Sequence, residues 1–155
     1  MKWLTREWHD RGFSDPKSLE VWAQYTEHLN RILGWLNDGA EQLVSTVHVH
    51  GGVVESFNYK SRVLELVIIA GDEMRGYERL TVRYIGVQAM DPLAKGLDFL
   101  IQKPTELLHD EVEVYQGPLY EHRVLCWPAG EFMVRFKSLE VTQAPATFAD
   151  RKAIT

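Results

Sequence analysis

The spacing of apolar residues changes near Gly39, from a helical repeat to a period close to two. Before that point apolar side chains recur every three or four residues, which is typical of an amphipathic helix. Ser14, Asp15 and Pro16 predict its start, because a capping side chain precedes a proline at the first helical position. The segment 37–39, which ends in glycine, predicts its end. The apolar stripe comprises Leu19, Trp22, Tyr25, Leu29, Ile32, Leu33 and Leu36.

The remainder of the chain consists of short alternating segments separated by turn residues, a pattern that predicts strands. Six are predicted: Val53–Tyr59, Val63–Ala70, Tyr77–Val87, Glu111–Tyr115, Leu119–Trp127 and Glu131–Val141. Short connections produce antiparallel neighbours, because parallel pairing requires a crossover of a dozen or more residues. Only the stretch 88–105 is long enough for such a crossover, and a short helix is predicted in it around Leu93–Leu100.

Together these elements predict a single α+β domain over residues 1–141. An N-terminal amphipathic helix packs on a strongly twisted antiparallel sheet of about six strands, built as two three-stranded meanders. The pattern leaves open whether this sheet closes into a barrel. Residues 142–155, which contain Pro145 and several small side chains, are predicted to form a weakly structured tail.

Charge and cysteine content exclude several classes of protein. There are 17 Lys and Arg against 22 Asp and Glu, so the formal net charge is -5 at pH 7. With no basic cluster, this balance argues against nucleic-acid binding. No apolar run approaches the length of a membrane span. Cys126 is the only cysteine, so no intramolecular disulfide can form and a cytoplasmic location is expected.

The segment His48-Val49-His50, with Glu55 downstream, resembles the first metal-binding motif of the cupin β-barrels. On a strand, residues i and i+2 share a face, so the two imidazoles could bind one metal ion. The glycines that flank that motif are absent, however, and Met133 stands where the second cupin motif has a histidine. The stretch 41–47 could also be a second helix. A small-molecule or metal-binding barrel that uses these three residues is therefore the alternative function.

A second cluster combines Glu111 and Glu113, on one face of a predicted strand, with His109 and His122 nearby. Paired carboxylates beside a histidine can perform acid–base chemistry. Alternating Glu and Val is equally typical of a strand with one solvated face. Cys126 lies in an apolar strand, where a thiol is usually buried and inert. There is no nucleophile elbow, phosphate-binding loop or dinucleotide motif, so we predict neither a catalytic residue nor a cofactor.

Four segments of the chain resemble small bacterial domains of unknown function, some of which are immunity-type proteins encoded beside toxin genes. They are Met1-Lys2-Trp3-Leu4-Thr5-Arg6-Glu7-Trp8, Leu107–Glu113, Tyr120–Leu125 and Glu131–Phe136. The resemblance implies an α+β fold and a cytoplasmic binding role, with no known catalytic residues.

The function that the sequence favours is therefore a non-enzymatic bacterial domain that binds another protein or itself. The predicted contact surface is a sheet face with Glu111, Glu113, Tyr115, Tyr120 and Glu121. Because the chain is acidic, a basic partner is expected, with rim charges that mainly raise the association rate. Nucleic acid and membranes are not expected as partners.

Overall fold

The computed structural model describes residues 1–91, 99–102, 105–128 and 130–155. The helices are α1 (Arg6–Arg11), α2 (Pro16–Ile32), α3 (Asp38–Ser45), α4 (Phe99–Gln102) and α5 (Phe148–Lys152). The strands are β1 (Gly52–Lys60), β2 (Val63–Asp72), β3 (Gly76–Ile85), β4 (Ala89–Asp91), β5 (Glu106–Val114), β6 (Tyr120–Trp127), β7 (Glu131–Phe136) and β8 (Ser138–Ala146). The α+β class predicted from the sequence is confirmed.

Helix α2 begins where the sequence predicts. The Asp15 carboxylate accepts the backbone N–H groups of Lys17 and Ser18, and Pro16 occupies the first turn. The predicted end is wrong, because α2 stops at Ile32 and a single 3-10 turn follows. Segment 37–39 begins α3 instead of ending α2, since an Asn-Asp-Gly run can cap a new helix as well as terminate an old one.

Helix α3 lies close against β8. The Asn37 side chain accepts the N–H of Ala40, which caps the helix. At Gly39 an added Cβ would lie 1.8 Å from the carbonyl oxygen of Leu139, so a glycine is required for this approach. The second helix that the sequence allowed at 41–47 is therefore present, as Asp38–Ser45.

The strands form one antiparallel sheet in the order β4-β7-β6-β5-β1-β2-β3-β8. Both predicted meanders are present, as β1-β2-β3 and β5-β6-β7. The sheet has more strands than predicted because the expected strand 131–141 divides at Lys137 into β7 and β8, and because β4 pairs with β7. Strands β4 and β8 lie at opposite ends, and no ladder joins them among the described residues, so the sheet is open.

The two meanders meet at a narrow junction. Strands β1 and β5 pair only through Gly52 with Leu107 and Val53 with Glu106, after which they diverge. A bulge in β5 between Leu107 and His109 increases its local twist. The remaining edge of β5 therefore faces the helices instead of another strand.

The main core lies between the inner face of the sheet and α3. Its members include Leu43, Leu64, Leu66, Leu80, Val82, Tyr84, Val124, Cys126, Phe132, Val134 and Phe136. Cys126 is buried, as predicted, and burial raises the pKa of its thiol to about 12. A smaller cluster of Leu4, Trp8 and Tyr25 joins the N-terminal segment to α2.

The C-terminal segment 142–155 is structured, so the predicted weak tail is wrong. Strand β8 continues to Ala146 beside β3, and α5 follows with a capping box formed by Thr147 and Asp150. The Asp150 carboxylate also pairs with Arg79. Of the helix predicted at 93–100, residues 93–98 lie outside the described part of the chain. None of the described helices combines the length and apolarity needed to cross a membrane.

Candidate ligand-binding cleft

A cleft of about 540 Å³ lies between α2, α3 and the edge of β5 that β1 leaves unpaired. We call it the α2–β5 cleft. Its lining residues are Leu4, Phe13, Trp22, Tyr25, Thr26, Leu29, Asn30, Leu33, Leu43, Val44, Ser45, Val47, His48, Val49, His50, Leu108, His109 and Asp110. Most of these side chains are apolar, and the histidines and the single carboxylate come from the two segments 48–50 and 109–110.

Two side chains replace the missing strand partner of β5. The Tyr25 hydroxyl donates to the Asp110 carbonyl at 3.5 Å and accepts the Val112 N–H at 3.3 Å. Nδ1 of His50 donates to the Leu108 carbonyl oxygen. Buried backbone groups need such partners, so these side chains allow β5 to end its pairing with β1 and leave room for the cleft.

His109 lies at the centre of an imidazole cluster. Its Nε2 is 3.0 Å from Nδ1 of His9 on α1, and its ring stacks on His50 with 5.2 Å between ring centroids. Trp8 contacts the same ring edge-on. Burial, followed by the neighbouring His50 and His9, lowers the pKa of His109 to about 4. His109 is therefore neutral at pH 7.

A buried polar chain leads from the cleft into the core. Nε2 of His122 lies 3.2 Å from Oδ2 of Asp110, and Nδ1 of His122 lies 2.7 Å from the Tyr84 hydroxyl. Burial, and then the charge of Asp110, raise the pKa of Tyr84, so its hydroxyl remains protonated. All groups are satisfied when Tyr84 donates to Nδ1 and the Nε2–H donates to the carboxylate, which assigns the ring tautomer.

The structure does not bring together His48, His50 and Glu55, the metal site of the alternative interpretation. The two histidines lie in the irregular segment 47–51 and not on a strand. Glu55 lies on β1, where both of its carboxylate oxygens accept from Arg79, at 2.9 and 3.0 Å. Within the described residues no three His, Cys, Asp or Glu side chains form a group that could hold a metal ion. His48 and His50 instead line the α2–β5 cleft.

The acidic contact surface is also wrong at Glu111 and Glu121, because both side chains are buried. The Glu111 carboxylate accepts the backbone N–H groups of residues 2, 3 and 4 at 2.8, 2.6 and 2.5 Å. Glu121 pairs with Arg123 and Arg135. The alternation of Glu and Val is compatible with a solvated face, but the N-terminal segment covers that face of β5.

The three other predicted contact residues have different surroundings. Glu113 is mostly buried and lies within ion-pair distance of Lys2 and His28. The Tyr120 hydroxyl donates to the Trp35 carbonyl oxygen at 3.0 Å. Tyr115 is exposed and has the Arg135 guanidinium 3.9 Å from its ring centroid. The five residues therefore do not form one accessible acidic face.

The structure separates the two histidines that the sequence placed together, because His109 faces the cleft and His122 faces the core. Sequence reasoning missed His9, Tyr84 and the role of Asp110. His9 lies 100 residues before His109, and no local spacing relates them. His122 lies opposite Val112 in the β5–β6 ladder, and Asp110 lies opposite Val124, so strand register alone does not reveal the contact between His122 and Asp110.

No protein-family model matches this chain, and neither a curated protein nor a solved structure matches it. The resemblance to immunity-type domains therefore stays a prediction. Function has to be inferred from the cleft and from the side chains that line it.

Proposed function

We propose that this protein binds a small, mainly apolar molecule in the α2–β5 cleft. The observation that carries the proposal is the concave apolar wall of α2 and α3, with polar groups gathered at one end by β5 and the segment 48–50. Ligand sites in proteins usually combine an apolar lining with a few polar groups that orient the ligand.

The aromatic residues at the cleft support this proposal. Phe13 is 53% exposed and Trp22 is 42% exposed, although both line the cleft. Their rings contact each other edge-on, with 5.8 Å between centroids. A bound apolar molecule would cover these rings, at a gain of about 25 cal/mol for each Å² of apolar surface removed from water.

The polar end can orient a ligand. Nδ1 of His50 donates to the Leu108 carbonyl oxygen, so the proton of a neutral His50 ring is on Nδ1 and Nε2 is then an acceptor. The Asp110 carboxylate is a second acceptor, and the hydroxyl of Tyr25 lies beside the backbone of Asp110. The cleft thus offers acceptors at one end and apolar contact along the rest of its length.

The proposal can be tested with the neutral dye N-phenylnaphthylamine, whose fluorescence rises in apolar sites. The wild type should bind it with saturable 1:1 stoichiometry. Asn30→Phe places a ring in the cleft and should weaken binding by about tenfold or more. Glu27→Phe is the matched control, since Glu27 is exposed on the same helix and lies outside the lining.

The control should bind like the wild type. Absence of saturable dye binding by the folded wild type would overturn the proposal. Equal affinities for Asn30→Phe and the wild type, with both proteins folded by circular dichroism, would place the dye elsewhere and would also overturn it.

Protein binding, including self-association in an immunity-type role, is a second candidate. Leu19 is 52% exposed and lies one helical turn from Trp22, so the two side chains form an exposed apolar patch with Phe13 at the cleft mouth. If the patch mediates self-association, sedimentation velocity should show concentration-dependent dimers that Leu19→Lys removes. Gln24→Lys, at an exposed position on the opposite side of the same helix, should leave them intact. Wild-type protein that is monomeric at every concentration would contradict self-association.

A further inference from the structure

We infer that the ligand of the α2–β5 cleft is an aromatic amine, whose cationic group binds the carboxylate of Asp110. This inference rests on the proposed function and specifies the chemical class of the ligand. It depends on the charges that line the cleft, on the position of the Asp110 carboxylate and on the aromatic rings around it.

The charges of the lining residues favour a cation. Among the described lining residues Asp110 is the only carboxylate, and none of them is Lys or Arg. Outside the described lining, Arg6 donates to the Cys126 carbonyl through one guanidinium nitrogen, Lys2 pairs with Glu113, and Arg151 pairs with Glu106. An anionic ligand would therefore meet the charge of Asp110 with no guanidinium or ammonium among the described lining residues to offset it.

His109 does not reverse this balance at neutral pH. His109 is the most enclosed of the three lining histidines, and it stays neutral because burial and the adjacent His50 and His9 lower its pKa to about 4. An imidazole without charge can accept a hydrogen bond from an ammonium group but cannot form an ion pair with a carboxylate.

Hydrogen bonding from the core orients the Asp110 carboxylate. His122 and Tyr84 are almost fully buried, and their hydrogen-bonded chain ends on Oδ2 of Asp110, whereas the Asp110 side chain is 27% exposed. The described residues place this donor on Oδ2, so Oδ1 can accept from a ligand. A carboxylate that is oriented before binding loses less conformational entropy when it pairs with an ammonium group.

Aromatic rings complete the site. Trp22 lies 6.3 Å from Tyr25 and 5.8 Å from Phe13, between ring centroids, so the three rings form a continuous wall. The face of an aromatic ring carries negative electrostatic potential and attracts a cation. The wall therefore suits both the flat body of an aromatic amine and the approach of its charge to Asp110.

The test compares three molecules of nearly equal shape and different charge: tryptamine, tryptophol and indoleacetate. Each is titrated against N-phenylnaphthylamine bound to the folded full-length protein at pH 7. Tryptamine should displace the dye at about a tenfold lower concentration than tryptophol, which is the size of one charge-assisted hydrogen bond. Indoleacetate should be the weakest of the three.

Asp110→Asn identifies the residue responsible. Asparagine retains an oxygen that can accept from His122, so the buried chain is preserved. The variant should lose about tenfold in tryptamine affinity and leave tryptophol unchanged. Asp10→Asn makes the same change in net charge at an exposed position outside the cleft and should affect neither molecule.

The outcomes separate the two proposals. Dye binding with equal displacement by tryptamine and tryptophol would overturn the inference and leave the proposed function intact, whereas absence of dye binding would overturn the proposed function itself. If Asp110→Asn does not fold, the wild type still decides the question. Added NaCl should weaken tryptamine binding and not tryptophol binding, and a tryptamine affinity that salt does not change would overturn the inference.

Discussion

The junctions β3–β8 and β1–β5 are both antiparallel, but they differ in length and in what surrounds them. Strands β3 and β8 pair through nine consecutive residues, from Tyr77 with Ala146 to Ile85 with Ser138. Strands β1 and β5 pair through two and then separate. In the long ladder, backbone N–H and C=O groups bond to each other. At the short one, the backbone of β5 needs hydrogen-bond partners from side chains of α2 and the segment 47–51. The first junction stabilises the sheet, and the second creates the cleft.

The largest loss of folding stability is expected from a substitution on β5. Glu111→Ala removes a buried carboxylate and leaves three backbone N–H groups, of residues 2–4, without their acceptor. The free energy of unfolding should fall by about 4 kcal/mol, measured by urea denaturation. Glu113→Ala, on the same strand but partly solvated, should cost less than half as much. Equal losses would show that the buried position of Glu111 has no special importance.

The second-largest loss of stability is expected where α3 packs on β8, the edge strand of the long ladder. Gly39→Ala should cost about 3 kcal/mol in the same assay, because the new Cβ would overlap the Leu139 carbonyl and push α3 from β8. Gly34→Ala is the control, since an added Cβ there meets no atom within 4 Å. It should change the stability by less than about 1 kcal/mol. Tolerance of Gly39→Ala would contradict the close packing of α3 on β8.

A smaller loss of stability is expected where a side chain bonds to the β5 backbone in place of strand β1. Tyr25→Phe removes the hydroxyl that bridges Asp110 and Val112 at the edge of β5. Stability should fall by about 1.5 kcal/mol, and the amide of Val112 should lose protection in hydrogen exchange. Tyr59→Phe, at an exposed position on β1, should change neither quantity. If the Val112 amide stayed equally protected, the hydroxyl would not be its partner.

The smallest effect is a change with pH. Unfolded His109 binds a proton near pH 6.5, but in the folded protein its pKa is about 4. Between these values the unfolded state binds more protons, so folding stability falls as the pH falls. From pH 7 to pH 5.5 the loss from His109 should be about 1 kcal/mol. In the His109→Gln variant, the free energy of unfolding from urea denaturation should decline less steeply over this range. A decline as steep as in the wild type would contradict the role of His109.

Sequence patterns predicted the regular strands and the start of α2 better than they predicted the cleft. Alternation placed β2 and β3 within a few residues, because each strand has one buried face and a short turn on either side. The start of α2 was equally clear from Asp15 and Pro16. The division at Lys137 was missed, since both halves of 131–141 continue the same alternation.

The cleft could not be predicted because its groups come from distant parts of the chain. His109 meets His9 from α1 and His50 from the loop before β1, and these contacts depend on where β5 leaves β1. The acidic segment was identified, but periodicity cannot show that residues 2–4 cover Glu111. Local patterns predict which face of a strand a side chain occupies, and they do not predict what packs on that face.

The hydrogen bonds from Asp110 through His122 to Tyr84 also provide a spectroscopic signal that reports on the Asp110 carboxylate. The Tyr84 hydroxyl is shielded from water and hydrogen-bonded at 2.7 Å, so its proton should exchange slowly enough to give a separate NMR signal. Any molecule that changes the charge around Asp110 changes the polarisation of His122 and therefore the frequency of that proton. If the cleft binds a ligand as proposed, the signal of this proton can follow its occupancy without a label.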